Sequence, residues 1–579
     1  MAALSLDVVS LFANDFAMVK IMSGLHPPCA GGRMKALWGS STPRAYLNRA
    51  LSPLIRAMPG LIMVAARCAF AVESYLDNGV VKVGIDLGKG GSITYLSKSG
   101  ITDNVINNHD LGRQIQQSYY SGPQPYNPSN NANPTWANWP WNPIQTGDSY
   151  YHPSLVLAHT NTGQSLYVKC RPMQWALNNV PGECTFESWI TLNGNVVTVS
   201  NRLVNQRTDT TQQFTGRDQE LPAVYTIGRL YRLFSYAGDA PFTGRALTNF
   251  PIVPPPWQSW RATESWAALV DTNGWGLGVY HPGAVRFLGG FAGPPGSGGP
   301  NNDPTGYISP LHTEILDYNI EYTYSYQLIL GTLQAIRAWV YAQPYRPGAD
   351  FRFCTDRQHW SYLQASDSGW PLNGRVRINL QSSDPTMLSP MCAYEATQVP
   401  KLYLRAAHRI ATPSRRIGQL FWETFNDNGF SEARSLRFPI IADQQFRTYE
   451  LNLAGSNSYS GLITRLRFDP ATSGQAGDYA DVAWISSSPI GVNEPSRGLM
   501  GIAHTDGGVA IRFPTVNAAC AGHEGQQFLY DLEWRTNLAL GSWQGVPGFT
   551  NLVGDNGTKT FTNGATDTPG FYRVKVRVE

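Results

Sequence analysis

Charge is scarce in this chain of 579 residues: Asp, Glu, Lys and Arg together make up 15%. The 44 basic and 41 acidic residues leave a net charge of only +3, and the Lys and Arg residues are scattered rather than clustered. Nucleic acid is therefore not expected as a partner, because phosphate binding needs a basic patch. No apolar run reaches about 18 uninterrupted residues, so no membrane-spanning helix is expected. The seven Cys include no Cys-x-x-Cys pair and no Cys/His cluster with zinc spacing, which argues against a structural zinc site. Also missing are a Rossmann glycine pattern, a P-loop and a Gly-x-Ser-x-Gly elbow. GIDLGKGGS at 84–92 lacks the Gly-Lys-Ser/Thr ending and reads as strand, turn, strand. No repeat of 20–50 residues stands out.

The residues that are abundant point to β-structure and to sugars. Hydrophobic residues make up 42% and aromatics 12%, with 17 Trp, 28 Tyr, 56 Gly and 40 Pro. That mixture suits an all-β chain with many turns and broad aromatic surfaces. Its length calls for about two to four domains. A neutral polymer such as a polysaccharide or oligosaccharide is the partner this composition fits.

Residues 1–75 differ from the rest, being richer in Ala, Leu and Met, and read as a leader outside the fold. Ala50–Ala71 has a basic approach, an apolar run and a small-x-small end at Ala69 and Ala71, the pattern of a secretory signal. Arg67 interrupts its apolar core and it starts far from Met1; a start codon set too far upstream accounts for the position, and an amphipathic helix is the alternative. The expectation is a secreted or cell-surface protein.

From Val80 onward short alternating runs are separated by Gly, Asn and Asp: VVKVGIDL, SITYL, SLYVKC, ESWITL, NVVTVSNRL and GLGVY all read as strands. Asn-Gly in TLNGNVVTVSNRL predicts a hairpin, as does DTNGWGLGVY. Long loops near 123–143 and 289–306 are expected to form functional rims. Domains are expected at 76–345, a large β-sandwich; at 346–490, a second sandwich of evenly spaced strands; and at 500–579, a small one. Cys170 with Cys184, and Cys354 with Cys392, are candidate disulfides.

The run LFWETFNDNGFSEARSLRFPIIADQQFRTYELNL, then GLITRLRFDP and GDYADVAWI, resembles the jelly-roll, carbohydrate-binding-type modules beside catalytic domains of bacterial polysaccharide-degrading enzymes. The end of the chain, YDLEWRTNLALGSWQGVPGF and GFYRVKV, is similar to the small fibronectin-like β-sandwiches of exported bacterial proteins. The 80–345 region, through GGSITYL, NVINNHDLGRQIQQSYYSGP and GRDQELPAVYTIGRLYRLFSYAGDAPF, resembles the large supersandwiches of the galactose-mutarotase-like superfamily. The resemblance implies a sugar-binding sandwich and leaves hydrolysis, lyase chemistry and epimerisation open. No cofactor is expected; a structural calcium ion on Asp478 or Asp481 would suit a jelly roll.

Candidate chemistry falls in four places. NNHDLGRQIQQSYY gathers His109, Asp110, Arg113, Gln116 and Tyr119, donors and acceptors of the kind a desolvated pyranose requires. A polar turn closed by Asp110 and Arg113 is the plain alternative. Trp136, Trp139 and Trp141 in WANWPWNP, with Trp257 and Trp260 in PPPWQSW, offer faces for sugar stacking or else a packed core. GRDQELP sets Asp218 and Glu220 on one face of an extended segment, Cα atoms about 6.5–7 Å apart. One such carboxyl can stay protonated as acid while a partner acts as base. Glu264 is the expected partner, then Asp110, unless Arg217 and Arg261 simply neutralise these acids. His281, with Tyr280 or Tyr225, is the candidate base and acid of a lyase, with His109 beside it and Arg113 neutralising a uronate. Three readings result: glycoside hydrolase first, polysaccharide lyase second, non-catalytic sugar binding third.

Overall fold

The computed structural model describes residues 73–579 apart from 127–131, 211–213, 490–500, 506–507, 519, 521–526, 538–540 and 565–569. The signal-like segment Ala50–Ala71 lies outside the described residues.

Side-chain period decides the architecture. In Val196–Asn205, Val197, Val199, Asn201 and Leu203 are buried while Ser200 and Arg202 are half-exposed, the two-residue period of a strand with one face on a core. Repeated along the chain, this period builds a mainly β protein. The ten-stranded sheet runs Glu73–Asp77, Val81–Asp86, Ser92–Lys98, Ile115–Ser118, Arg217–Ile227, Thr305–Glu314, Arg286–Ala292, Gln258–Arg261, with Pro143–Ile144 and Met173–Gln174 off that path. The nine-stranded sheet runs Thr248–Asn249, Arg232–Ser235, Trp266–Val270, Trp275–Tyr280, Glu321–Thr332, Val196–Asn205, Cys184–Asn193, Ser165–Arg171, Leu155–Asn161. One apolar cluster joins Val83, Ile85, Leu96 and Ile308 of the first to Phe186, Val199, Leu203 and Leu328 of the second. The two sheets therefore form a sandwich.

The expected hairpins are present. Asn193 pairs with Val196 across Gly194, whose φ is +55°, a conformation glycine adopts without a Cβ clash. In the second hairpin the Asp271 carboxylate accepts from the Asn273 and Trp275 N–H groups. The helix Leu333–Ala342 starts where Thr332 Oγ1 accepts from Ala335 N, an N-cap. Its Ile336 and Val340 pack on Trp266, Ala268 and Tyr280 on the outer side of the nine-stranded sheet.

A second pair of sheets comes next, both six-stranded among the described residues, within 350–486. Val376, Ile378, Leu404 and Val482 of one meet Leu420, Trp422, Leu466 and Phe468 of the other. Ile511 and Phe513 meet Phe528, Tyr530 and Leu532 in a third, smaller pair within 501–578.

The joint between the first two sandwiches combines an apolar contact of Val285 with Ala393 and Leu462 with ion pairs and hydrogen bonds. Arg357, 4% exposed, donates to Asp317 at 2.6 Å and to both oxygens of Asp367. His359 meets Glu314, and Arg261 reaches the Phe425 carbonyl and Asn428. The calcium expectation meets occupied carboxylates: Asp481 is gripped by Arg377 and Arg375, and Asp478 accepts from Ala411 N. Among the described residues no group of three or more His, Cys, Asp or Glu is arranged to hold a metal ion. The five described Cys are free thiols. Cys392 lies against the Ile463 carbonyl. Neither candidate disulfide is formed.

Candidate active site

The strand Arg217–Ile227 lies mid-sheet and carries a proline, Pro222, with no N–H to give a neighbour. Pairing lapses there on both sides, between Glu220 and Val224 against one neighbour and between Glu220 and Ala223 against the other. This is a bulge, and beyond it the strand's inward–outward parity is reversed. Gln219, Leu221 and Val224 are buried on the inner side, while Glu220, Ala223 and Tyr225 share the outer face.

That outer face is an aromatic floor. Tyr307 stacks on Trp257 with ring centroids 5.2 Å apart and lies 4.5 Å from Tyr225. Tyr120 donates its hydroxyl to Glu220 at 3.2 Å and packs edge-on to Trp139 at 6.1 Å. Gln219 fixes Tyr120 from below, exchanging side-chain hydrogen bonds with its backbone N–H and carbonyl at 2.7 Å each.

Two loops make the rim. Asn107, His109 and Arg113 on one loop meet Asn302, Asn301 and Asp303 on the other. Arg113 pairs with Asp110 at 3.1 Å and with Asp303 at 2.7 Å. On the far side, Trp136 packs edge-on to Trp139 and Trp175, at 4.9 and 5.8 Å. Along the floor, Asp218 accepts from Thr313 at 2.7 Å and pairs with Arg286 at 2.8 Å.

The electrostatics favour held protons. Burial raises the Glu220 carboxyl above the usual range; the Tyr307 and Tyr120 hydroxyls oppose this and the Asp218 charge adds to it. Burial first, and Glu220 second, raise the hydroxyls of Tyr120, Tyr225 and Tyr307. Asp110 raises Tyr225 further.

Several expected site residues lie elsewhere. Glu264 is fully buried on the helix side, where Phe242 N, Trp266 Nε1, Arg337 and Tyr341 all donate to it. It anchors the helix and does not face Glu220. Tyr119 points into the core against Phe186 at 5.1 Å, and Trp141 lies fully buried under Arg207. Trp260 packs on Phe250 at 4.6 Å. Gln116 is buried and accepts from Thr146. His281 is 4% exposed beside His312, and burial lowers it to about 3. An imidazole so placed cannot meet a polymer. The bland reading of Asp218 holds with a different partner, Arg286 in place of Arg217.

Reasoning from sequence missed Tyr120, Tyr307, Arg286 and Asp303. Tyr120 comes directly after Tyr119 on SYYSG, and the pleat sends adjacent residues to opposite faces; only one of the two could line the site. Another concavity, about 500 Å³, lies on the second sandwich, lined by Phe421, Phe430, Arg467 and Glu432 among others. Its charges are paired with one another, Arg467 with Asp384 and Asp469, and Arg437 with Glu432.

No protein family and no curated protein matches the chain. Among solved structures it is similar to a galactose mutarotase related enzyme from Lactobacillus acidophilus, with 13% identity and a TM-score of 0.28, over 45% of this chain and 97% of that one. It is also similar to a 4-alpha-glucanotransferase from Thermococcus litoralis, with 12% identity and a TM-score of 0.26, over 45% of this chain and 37% of that one. A polysaccharide lyase shares 10% identity at a TM-score of 0.25, over 67% of this chain and 46% of that one. Likenesses at this level decide no chemistry, which has to come from the side chains.

Proposed function

We propose that the chain binds a carbohydrate across the outer face of the ten-stranded sheet and cleaves a glycosidic bond there. The observation that carries this reading is Glu220, a carboxyl raised by burial that accepts from the Tyr120 hydroxyl beside an aromatic floor. A carboxyl that keeps its proton is suited to protonating a leaving oxygen. Tyr225 and Trp257, half-buried beside the fully buried Tyr307, give the sugar's apolar faces a surface, and Arg113 at the rim donates to its hydroxyls. Glu220 passes its proton to the glycosidic oxygen as the bond to the anomeric carbon breaks. Water adds to that carbon and gives up a proton to Asp110, whose charge acts on Tyr225 as that of Glu220 does. Asp218, held by Arg286, is the second choice for that base. A location outside the cytoplasm, where polysaccharides are met, belongs to the same proposal.

The test is incubation of the purified chain with neutral and uronate polysaccharides. Reducing ends and the ultraviolet absorbance of unsaturated ends are monitored together. Reducing ends alone, abolished by Glu220→Gln in a folded protein, are the expected result. Unsaturated ends would replace hydrolysis by elimination, and binding without either signal would leave a non-catalytic module. Asp110→Asn and Asp218→Asn separate the two candidate bases.

A further inference from the structure

We infer that Arg261 and Arg286 of the first sandwich and Arg465 of the second build an anion seat beside the proposed sugar-binding face. The seat takes a carboxylate or sulfate substituent of the carbohydrate. This rests on the proposed sugar site and names the class of sugar that the site would accept. Sheet register sets the place. Glu220 lies opposite Leu311, Leu311 opposite Arg286, and Arg286 opposite Arg261. Residues directly opposite each other on antiparallel strands share a face, so both arginines stand in one row with Glu220 on the outer side. At about 4.8 Å per strand, their Cα atoms lie about 10 and about 14 Å from that of Glu220. A sugar chain laid across the strands reaches that far.

Like charges set directly opposite each other repel, and the acids around this pair do not balance the cluster. Asp218 pairs with Arg286 at 2.8 Å. Arg261 donates to two neutral groups, the Phe425 carbonyl at 3.2 Å and Asn428 at 2.6 Å, and has Glu423 at 3.7 Å. Glu423 in turn has Arg465 directly opposite on the strand Leu462–Asp469. Arg465 Nε donates to another neutral group, the Ser389 carbonyl, at 3.2 Å. Within this cluster three guanidiniums meet two carboxylates. Burial lowers Arg465; Glu423 opposes this and the Arg286 charge adds to it. The cluster is open to solvent, the side chains of Arg286, Asp218 and Arg261 being 31%, 22% and 17% exposed. Arg113 is in the opposite condition, paired with two acids, Asp110 at 3.1 Å and Asp303 at 2.7 Å. It has no charge to spare. The guanidinium fork matches the paired oxygens of an anion, and a neutral sugar brings nothing to offset the surplus charge.

The full chain carrying Glu220→Gln is titrated calorimetrically, so that binding is read whether or not the bond would be cut. The probes are matched pairs at one salt concentration: polygalacturonate with its methyl ester, sulfated galactan with galactan, and dextran sulfate with dextran. At least one charged polymer is expected to bind about tenfold or more tightly than its neutral match, the scale of a charged hydrogen bond. The pair that shows the preference tells carboxylate from sulfate. Adding Arg465→Gln should remove most of the difference in a chain that circular dichroism shows to be folded. Should that variant fail to fold, Arg261→Gln takes its place under the same reading. Three results overturn the inference: neutral polymers bound as tightly as their charged matches, no charged polymer bound, or the preference intact in the folded variant. The proposed hydrolysis fails separately. A charged polymer bound but releasing no reducing ends with the wild type would leave the seat and remove the cleavage, and reducing ends from neutral polymers alone would do the reverse.

Discussion

Replacing Glu264 by Gln takes one negative charge from a place where nothing can substitute for it. Its Oε1 accepts from Phe242 N at 2.9 Å, Arg337 at 2.9 Å and Tyr341 at 2.6 Å, and its Oε2 from Trp266 Nε1 at 3.0 Å. Glutamine can keep the three donors at the first oxygen. Its amide NH₂ then faces the indole N–H, donor against donor, at a cost of about 1–3 kcal/mol. Arg337, with a side chain 16% exposed, loses its counter-charge as well. Breaking a buried pair costs about 3–5 kcal/mol, and the retained amide oxygen places the Gln variant near the lower end, at about 3 kcal/mol. For a unit of this size that is a fall of roughly 6–12 °C in melting temperature. Glu264→Ala, which abandons all four donors, should fall further. Calorimetry reads the shift, and the glycosidase activity proposed above, assayed well below the melting point, should be nearly normal in Glu264→Gln. An unchanged melting temperature with activity abolished would refute the reasoning and return Glu264 to the chemistry.

Three other outcomes rest on particular side chains. Glu220 is raised when folded, so the native state holds a proton that the unfolded chain has released. Wild-type stability therefore falls as pH climbs through the window above about 4.3, and the advantage of Glu220→Gln in melting temperature should widen from pH 4 to pH 8; a constant or shrinking difference contradicts the assignment. His408 is fully buried with neither ring nitrogen hydrogen-bonded, and burial lowers it from 6.5 to about 4. The unfolded chain binds that proton first, so stability present above pH 6.5 is lost as pH falls toward 4, by about 3 kcal/mol in all. His408→Leu should flatten denaturant midpoints over that window, and an unaltered slope would refute it. Trp257→Ala removes the plate stacked on Tyr307. A loss of about 1.4 kcal/mol in sugar binding would raise the dissociation constant about tenfold, measured by calorimetric titration with the fold monitored by circular dichroism.

Strands were legible wherever one face met a core, because a two-residue period survives any change of hydrophobic residue; Val196–Asn205 is the clearest case. The Asn-Gly hairpin was legible because the turn needs a positive φ at Gly194. The site was legible only as a neighbourhood. Asp110, Arg113, Glu220, Tyr225, Trp139 and Trp257 do gather on or around one face, yet the same segments carry core residues next door. Tyr119 differs from Tyr120, and Trp260 from Trp257, only in pleat direction, which depends on register and not on residue type. Pro222 was the one local warning, since a proline in a central strand signals a bulge. Nothing local marks Glu264 as structural: its cation, Arg337, lies on a helix 73 residues onward. The same holds for His281, whose neighbours His312 and Tyr324 arrive from later strands.

Arg357 carries a consequence for the order of synthesis. A ribosome makes the first sandwich, with Glu314 and Asp317, before it makes Arg357, His359 and Asp367. Until those residues emerge, Asp317 lacks its hydrogen bond from Arg357 and Glu314 lacks His359. The opening loop of the second sandwich therefore acts as a late-arriving latch on Glu314 and Asp317.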